Sequence, residues 1–233
     1  MDVEVVIYCA GKGNRLARGL PKALMPLAGR LLIDRQLEAL RAVLPDSRIC
    51  VMGGFRCADL QDHLRGVPGV RVVHNPFYEL GGINGTAWLS RREVTCANVL
   101  RVHGDVLFAD SALRWLDAAE ATTVLVTGGR ARKQALVAFP DGPRVEAIGF
   151  AADYAGPCEW AGIELYTRDE YRQIAELAAQ YVDPRWYLFD VLNEFYATRT
   201  RPLWNSEPDV LEIDTPDDFR DAELLLRGKG DGE

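Results

Sequence analysis

Four short apolar runs, residues 5–8, 48–52, 70–73 and 99–102, punctuate the first half of the chain, each too short for a buried helix. Between them the apolar spacing is helical. Leu32, Ile33, Leu37, Leu40 and Val43 mark one face of a helix over 31–43, and 58–64 and a segment opening near Asn84 read the same way. Strands that alternate with helices are joined by crossovers, so neighbouring strands run parallel and are buried on both faces. The pattern predicts an α/β fold with a mostly parallel sheet flanked by helices. From about residue 121 the rhythm changes. Residues 123–127, 135–139, 145–150 and 160–166 read as strands with only turns between them, and helices are expected over 168–181 and 186–196. A late strand at 210–213 precedes a helix opened by Asp214-Thr215-Pro216.

The first strand runs into a glycine-rich turn, Ala10-Gly11-Lys12-Gly13-Asn14-Arg15, and Pro21-Lys22 follows. Glycines let the backbone bend and approach a ligand with no Cβ in the way, and successive N–H groups there can face an anion. With Lys12, Arg15 and Lys22 beside it, the turn reads as a phosphate cradle; a loop of ordinary solvated charges is the plain alternative. It is not a P-loop, because Asn14 follows Gly13 and Ala23 follows Lys22. Nor is it a dinucleotide fingerprint: position 16 is leucine, and the second strand ends in Gly53-Gly54 rather than an acid.

Ligands of open α/β sheets bind beyond the carboxyl ends of strands. That rule gathers the glycine turn, residues 84–87 and the strand end His103-Gly104-Asp105 at one edge. An acid closing an apolar strand is costly unless paired or metal-bound, the alternative being a β-turn that faces water. Asp214 is open to a ligand role or to capping the helix it precedes, and Asn84 to a base-reading role or a cap.

Composition excludes several classes. With 27 Lys+Arg against 34 Asp+Glu, the formal charge of −7 and the lack of a basic stripe argue against a nucleic-acid partner. No apolar run approaches the ~20 residues of a membrane span. The amino terminus passes directly into a strand, so no signal peptide is expected. Five scattered cysteines without a C-x-x-C pair read as free thiols of a reducing compartment, and the expected location is cytoplasmic. His63, His74 and His103 are too far apart to form a local metal motif.

The order strand, A-G-x-G-x-R-L, short loop, P-K resembles the nucleotidyltransferase superfamily, which joins an NTP to a phosphorylated acceptor and releases pyrophosphate. Within it the chain is similar to bacterial CTP:phosphocholine and phosphonate cytidylyltransferases. The matching features are the glycine loop with Pro21-Lys22, Asn75 and Tyr78 ahead of Thr86, the Asp105 strand end, and Gly162 in an aromatic-flanked strand. Asp190 in an aromatic-rich helix, and Glu212-Ile213-Asp214 followed by Asp217-Asp218, complete them. Two departures stand out: Gly82-Ile83, where that group tends to carry paired asparagines, and His103-Gly104, where it has an aspartate-rich strand end.

The resemblance implies a Rossmann-like fold with a small acceptor-binding β/α lobe. One domain would cover 1–227, divided into a nucleotide-binding half (1–120) and an acceptor-binding half (121–227), with 228–233 unordered. Lys22 and Arg15 would be catalytic, acting on the α-phosphate and the leaving pyrophosphate. Ala10, Gly11, Lys12, Gly13, Asn14 and Asp105 would hold the nucleotide, and Asn84, Gly85 and Thr86 would meet the pyrimidine. Asp105 and Asp214 would bind Mg²⁺. The implied donor is CTP and the implied acceptor a small phosphate or phosphonate; nothing excludes a homodimer.

The second half offers acceptor residues of its own. Aromatics and acids cluster there, in Glu159, Trp160, Glu164 and Tyr166 and again in Trp186, Tyr187 and Asp190, while no lysine occurs between Lys133 and Lys229. Strand alternation puts Trp160, Glu164 and Tyr166 on one face. Aromatic faces beside a carboxylate suit an ammonium head group, at ~0.5–2 kcal/mol per cation–π contact; the alternative is that these rings are core. Arg130 and Lys133 are the candidates for the acceptor's phosphate or phosphonate, surface exposure being the alternative. The function expected is cytidylyl transfer to a small phosphorylated or phosphonylated alcohol or amine. The alternatives are a sugar- or inositol-1-phosphate nucleotidyltransferase and a non-catalytic nucleotide-binding subunit.

Overall fold

The structure, a computed structural model, describes residues 2–13, 19–117, 119, 123–127, 136–141, 144–150, 158–197, 203–206 and 210–230. Its first strand, β1 (Val3–Cys9), is buried along its whole length. A run apolar at every position demands cover on both faces, and the chain supplies it. Val5, Ile7 and Cys9 pack with Ile33, Leu37 and Leu40 on one side of the sheet. Val6 and Tyr8 pack with Tyr171, Ile174 and Leu192 on the other. The one acid inside β1, Glu4, is buried but satisfied by Arg71 and by the Thr95 amide.

After β1 come a two-residue hairpin, β2 (Pro26–Leu27) with β3 (Arg30–Leu31), and α1 (Leu32–Val43). Then follow β4 (Arg48–Gly53), α2 (Cys57–His63), β5 (Val70–His74), α3 (Tyr78–Ser90) and β6 (Asn98–His103). β1 pairs in parallel with β4 and β6, and β4 with β5, which is the predicted βαβ arrangement. The helix expected to open near Asn84 instead begins at Tyr78 and is broken at Gly82 (φ 54°, ψ −148°), a backbone conformation reserved for glycine.

Beyond β6 lie β7 (Val106–Phe108), a 3₁₀ helix (Asp110–Asp117), β8 (Thr123–Thr127), β9 (Leu136–Asp141), β10 (Arg144–Phe150) and β11 (Cys158–Thr167). These strands do not form a sheet of their own. β11 runs antiparallel along β6 and carries β8 and β9, while β12 (Leu203–Ser206) adds to β8, so both halves share one nine-stranded mixed sheet. The helices α4 (Arg168–Ala178) and α5 (Leu188–Tyr196) cover the face opposite α1. Finally β13 (Val210–Glu212) pairs antiparallel with β7 and leads into α6 (Pro216–Gly230). The tail expected to be unordered from 228 is thus helical through Gly230. Cys9, Cys50, Cys57 and Cys96 are buried free thiols, and no helix among the described residues is long and apolar enough to cross a membrane.

Candidate active site

Three strand ends converge on Lys22. Gly13 sits at φ 62°, and a Cβ there would lie 2.8 Å from Lys22 Cγ, so the lysine stem runs across bare backbone. Its Nζ donates to Asp105 Oδ2 at 2.9 Å and to Asp214 Oδ1.

The Asp105 turn is clamped from three sides. The Gly104 amide donates to the Tyr8 carbonyl at 3.0 Å, and a Cβ on Gly104 would stand 2.6 Å from that oxygen and 2.5 Å from Cys9 Sγ. Only glycine lets the ends of β6 and β1 lie so close. From α1, Gln36 Nε2 donates to the carbonyls of His103 (2.9 Å) and Val106 (2.7 Å). From the far end of the chain, Glu212 pairs with Val106, and the Ile213 amide donates to the Asp105 carbonyl at 2.8 Å. That register delivers Glu212 and Asp214 to Asp105. Thr215 and Asp218 supply the cap of α6, with the Asp218 amide on Thr215 Oγ1 and the Thr215 amide on Asp218 Oδ2. The Asp214 carboxylate turns instead to the lysine.

The electrostatics follow from burial. Burial pulls the Lys22 ammonium down, but Asp105 and Asp214 outweigh it, and its pKa ends above the usual lysine value. Burial opposes ionisation of Asp105, yet Lys22 holds its pKa below the usual carboxylate range. Glu212 is pushed up to about 8, by burial first and then by Asp105 and Asp214. Like charges ~4 Å apart repel by ~4 kcal/mol at an effective dielectric of 20, so three acids around one ammonium leave a demand for positive charge. Clustered carboxylate oxygens are the donor set Mg²⁺ takes, and Asp105 with Asp214 are the pair Lys22 already bridges.

A cavity of about 440 Å³ opens over this cluster. Tyr8, Cys9, Gly11 and Gly13 line it together with Gly82-Ile83 and an aromatic group, Phe150, Trp186 and Tyr187, in which Phe150 and Tyr187 meet edge to face; Pro184 joins this wall beside Gly82. Of the residues expected from sequence, Gly11, Gly13, Lys22, Asp105, Asp214, Trp186 and Tyr187 therefore meet around one space. Asn14, Arg15, Arg130 and Lys133 lie outside the described residues.

Others go elsewhere. Lys12 turns aside to Glu79, 2.8 Å away. Ala10 is buried and its carbonyl accepts from the Phe55 amide, 3.1 Å, over Gly54, where a Cβ would be 2.5 Å from that oxygen. Thr86 Oγ1 accepts from Asn75 Nδ2 (3.0 Å) and donates to the Gly82 carbonyl (3.3 Å). Asn84 is no helix cap: its Nδ2 donates to the carbonyls of Tyr181 (3.0 Å) and Trp186 (3.4 Å), tying α3 to the aromatic wall. Gly85 faces the same segment, with room for a Cβ 3.9 Å from Val182 Cγ1. Asp190 Oδ2 accepts from the Tyr187 amide at 2.8 Å and closes the first turn of α5. Glu159 is half-buried near Glu212, whose pKa it helps raise.

The open face expected of Trp160, Glu164 and Tyr166 is corrected by the structure. The three do share a face, but it is interior. Glu164 is 0% exposed, ion-paired to Arg101, and accepts from Trp160 Nε1 (3.1 Å) and from the Tyr166 hydroxyl. The rings of Tyr8, Trp160 and Tyr166 stand 5.9, 5.7 and 5.4 Å from the Arg101 guanidinium. The cation beside these rings is the chain's own guanidinium, in place of the ammonium expected of an acceptor. The signal for it was Arg101 inside the apolar run 99–102, where a charge needs a partner. In the sequence His103 and Glu212 stand only as neighbours of Asp105 and Asp214, and Phe150 only as the end of a strand; tertiary pairing makes each of them a cavity residue.

Comparison with known proteins bears on the family and the fold. The family described as MobA-like NTP transferase domain matches residues 5–181. The bifunctional IPC transferase and DIPP synthase of Rubrobacter xylanophilus is 36% identical over 149 residues, 55% of this chain and 34% of that protein. The bifunctional protein GlmU of Picosynechococcus sp. is 41% identical over 71 residues, 30% of this chain and 16% of that protein. The matched regions thus span about a third of one relative's length and about a sixth of the other's. Among solved structures, CTP:phosphocholine cytidylyltransferase from Streptococcus pneumoniae superposes with a TM-score of 0.81 at 21% identity, over 97% of this chain and 100% of that one. The inositol-1-phosphate CTP transferase from T. maritima gives 0.80 at 22%, over 97% of this chain and 96% of that one. At such identities the likeness is one of fold.

Proposed function

Because the chain belongs to the MobA-like NTP transferase family, we propose that it is a Mg²⁺-dependent cytidylyltransferase. It moves CMP from CTP to a small phosphorylated or phosphonylated alcohol or amine and releases pyrophosphate. The observation that carries the reading is Lys22 Nζ set between Asp105 and Asp214 under the glycine turn, in a cavity that Phe150, Trp186 and Tyr187 also line.

The reaction forms a bond from an acceptor phosphate or phosphonate oxygen to the α-phosphorus and breaks the α–β anhydride. An NTP carries about four negative charges and its attacker is an anion as well, so the barrier is chiefly electrostatic. The acceptor oxygen is already deprotonated near pH 7, and no general base is needed. Lys22 is fixed by Gly13 along its stem and by two carboxylates at its tip, so its ammonium is held where charge builds up. Asp105 and Asp214 are the residues that would hold Mg²⁺. An ion bound there would supply the positive charge that phosphate oxygens, repelled by the acids alone, require. Gly82-Ile83 carry the nucleotide side into the acceptor side. Trp186 (47% exposed), Tyr187 and Phe150 are exposed aromatics that line the cavity, side chains that suit an ammonium or trimethylammonium head group.

A specific observation favours a second acceptor. The Rubrobacter relative, with IPC transferase in its name, is 36% identical over 149 residues, which supports inositol-1-phosphate in place of an amine. The test is a matrix of four NTPs against phosphocholine, 2-aminoethylphosphonate, hydroxyethylphosphonate, inositol-1-phosphate and glucose-1-phosphate, read by pyrophosphate release. Turnover with CTP and an amine acceptor is expected. Turnover confined to hexose- or inositol-1-phosphates would reject the aromatic-wall argument, and none with any pair would reject the activity.

A further inference from the structure

Next to the lysine-bridged pair, the end of β6 brings up a group of different chemistry. The His103 side chain is 7% exposed, and its Nε2 has no hydrogen-bond partner. An unpartnered buried polar atom is destabilising, so a chain that retains one commonly has a use for it. The ring is also built in. It lies edge-on to Trp160 with centroids 5.0 Å apart and stacks on Tyr8 at 12°. Opposite it, β11 places Gly162 at φ 64°, where a Cβ would come 2.9 Å from the imidazole. The sheet has given up a side chain to admit this ring.

One ring nitrogen of His103 and one carboxylate oxygen each of Asp105 and Glu212 lie within 4.8 Å of one another. A point equidistant from three atoms at that spacing is about 2.8 Å from each, so inward shifts of well under 1 Å reach the ~2.0–2.2 Å of metal–nitrogen and metal–oxygen bonds. We propose that His103, Asp105 and Glu212 form a binding site for a divalent transition ion of the Mn²⁺, Co²⁺ or Zn²⁺ class. It is distinct from the Asp105–Asp214 pair assigned to Mg²⁺, though the two share Asp105. Imidazole is a borderline donor that Mg²⁺ seldom takes, whereas one nitrogen with two carboxylates is an ordinary ligand set for these ions. All three residues line the same cavity as Lys22, so an ion held there would border the space the proposed reaction uses.

The experiment is a Co²⁺ titration of the full chain, freed of metal by chelator and studied without nucleotide or acceptor, read by the ion's visible absorption. Mn²⁺ is followed in parallel by electron paramagnetic resonance. The wild type is expected to bind one Co²⁺ with the spectrum of a nitrogen-containing site. His103→Phe, which keeps a ring in the slot, and Glu212→Gln should each weaken that binding at least tenfold, while Asp214→Asn retains it. Either site variant suffices, provided its circular dichroism shows it folded. Equal Co²⁺ affinity in wild type and a folded His103→Phe or Glu212→Gln overturns the proposal, and so does loss in Asp214→Asn as complete as in the other two. Because no substrate is present, failure here leaves the nucleotidyl-transfer reading intact. Failure of the substrate matrix, in turn, does not alter the titration.

Discussion

Glu164→Gln tests whether the Trp160–Glu164–Tyr166 cluster is interior or faces substrate. In the structure Glu164 and Arg101 are 0% and 1% exposed, so water cannot replace either partner. The substitution leaves the guanidinium buried without a counter-charge. It also puts an amide NH₂ on one of the two positions that now accept from Trp160 Nε1 and the Tyr166 hydroxyl. Breaking a buried pair from one side costs about 3–5 kcal/mol. At roughly 2–4 °C per kcal/mol for a chain of this size, the melting temperature should fall by about 6–20 °C. Removing the charges together is milder: Arg101→Met with Glu164→Leu and Tyr166→Phe leaves only Trp160 Nε1 stranded, at about 1–3 kcal/mol. Urea unfolding of the single, double and triple variants measures the coupling. The reasoning is refuted if Glu164→Gln unfolds within about 1 kcal/mol of wild type while KM for an amine acceptor rises tenfold. That pattern belongs to a substrate-facing carboxylate.

The remaining predictions concern the cavity. Lys22→Ala should lower kcat by at least the ~10²–10³-fold seen when one preorganised donor is lost; in chelator its melting temperature should lie below wild type and recover on adding Mg²⁺, and unchanged turnover would remove Lys22 from catalysis. Trp186→Ala should raise KM for phosphocholine by about 2–30-fold, the equivalent of ~0.5–2 kcal/mol of cation–π contact, and leave KM for CTP unchanged in steady-state assays. Asn84→Ala severs the tie between α3 and the aromatic wall. Its acceptor KM should rise and its tryptophan fluorescence shift, whereas a change confined to the CTP constant would mean that the side chain reads the base.

How far the sequence reaches depends on the range of the interactions involved. A continuous apolar run fixes β1 as a central strand by itself, because burial on both faces is a local property. The glycines at 11 and 13 and the lysine at 22 are likewise readable from local sequence as a candidate phosphate cradle. Asp105 and Asp214 could be named from the strands they close. Alternation of strands and helices gave the parallel half of the sheet, and capping residues gave the start of α6.

The short pair β7–β13, two three-residue strands, has too few positions to show a period. Yet that ladder is what carries Glu212 and Asp214 from the chain's end to Asp105. The second half looked like an appended lobe because its strands follow one another closely. Only their pairing through β11 onto β6 shows that it extends the same sheet. The aromatic residues illustrate the difference best. Trp160 and Trp186 both sit among acids in the sequence, but one rings the buried Arg101–Glu164 pair and the other lines the cavity wall. Composition and period specify which face of its own strand or helix a side chain takes. Whether that face meets solvent, substrate or another layer depends on which distant segment packs against it, and that is decided when the sheet closes.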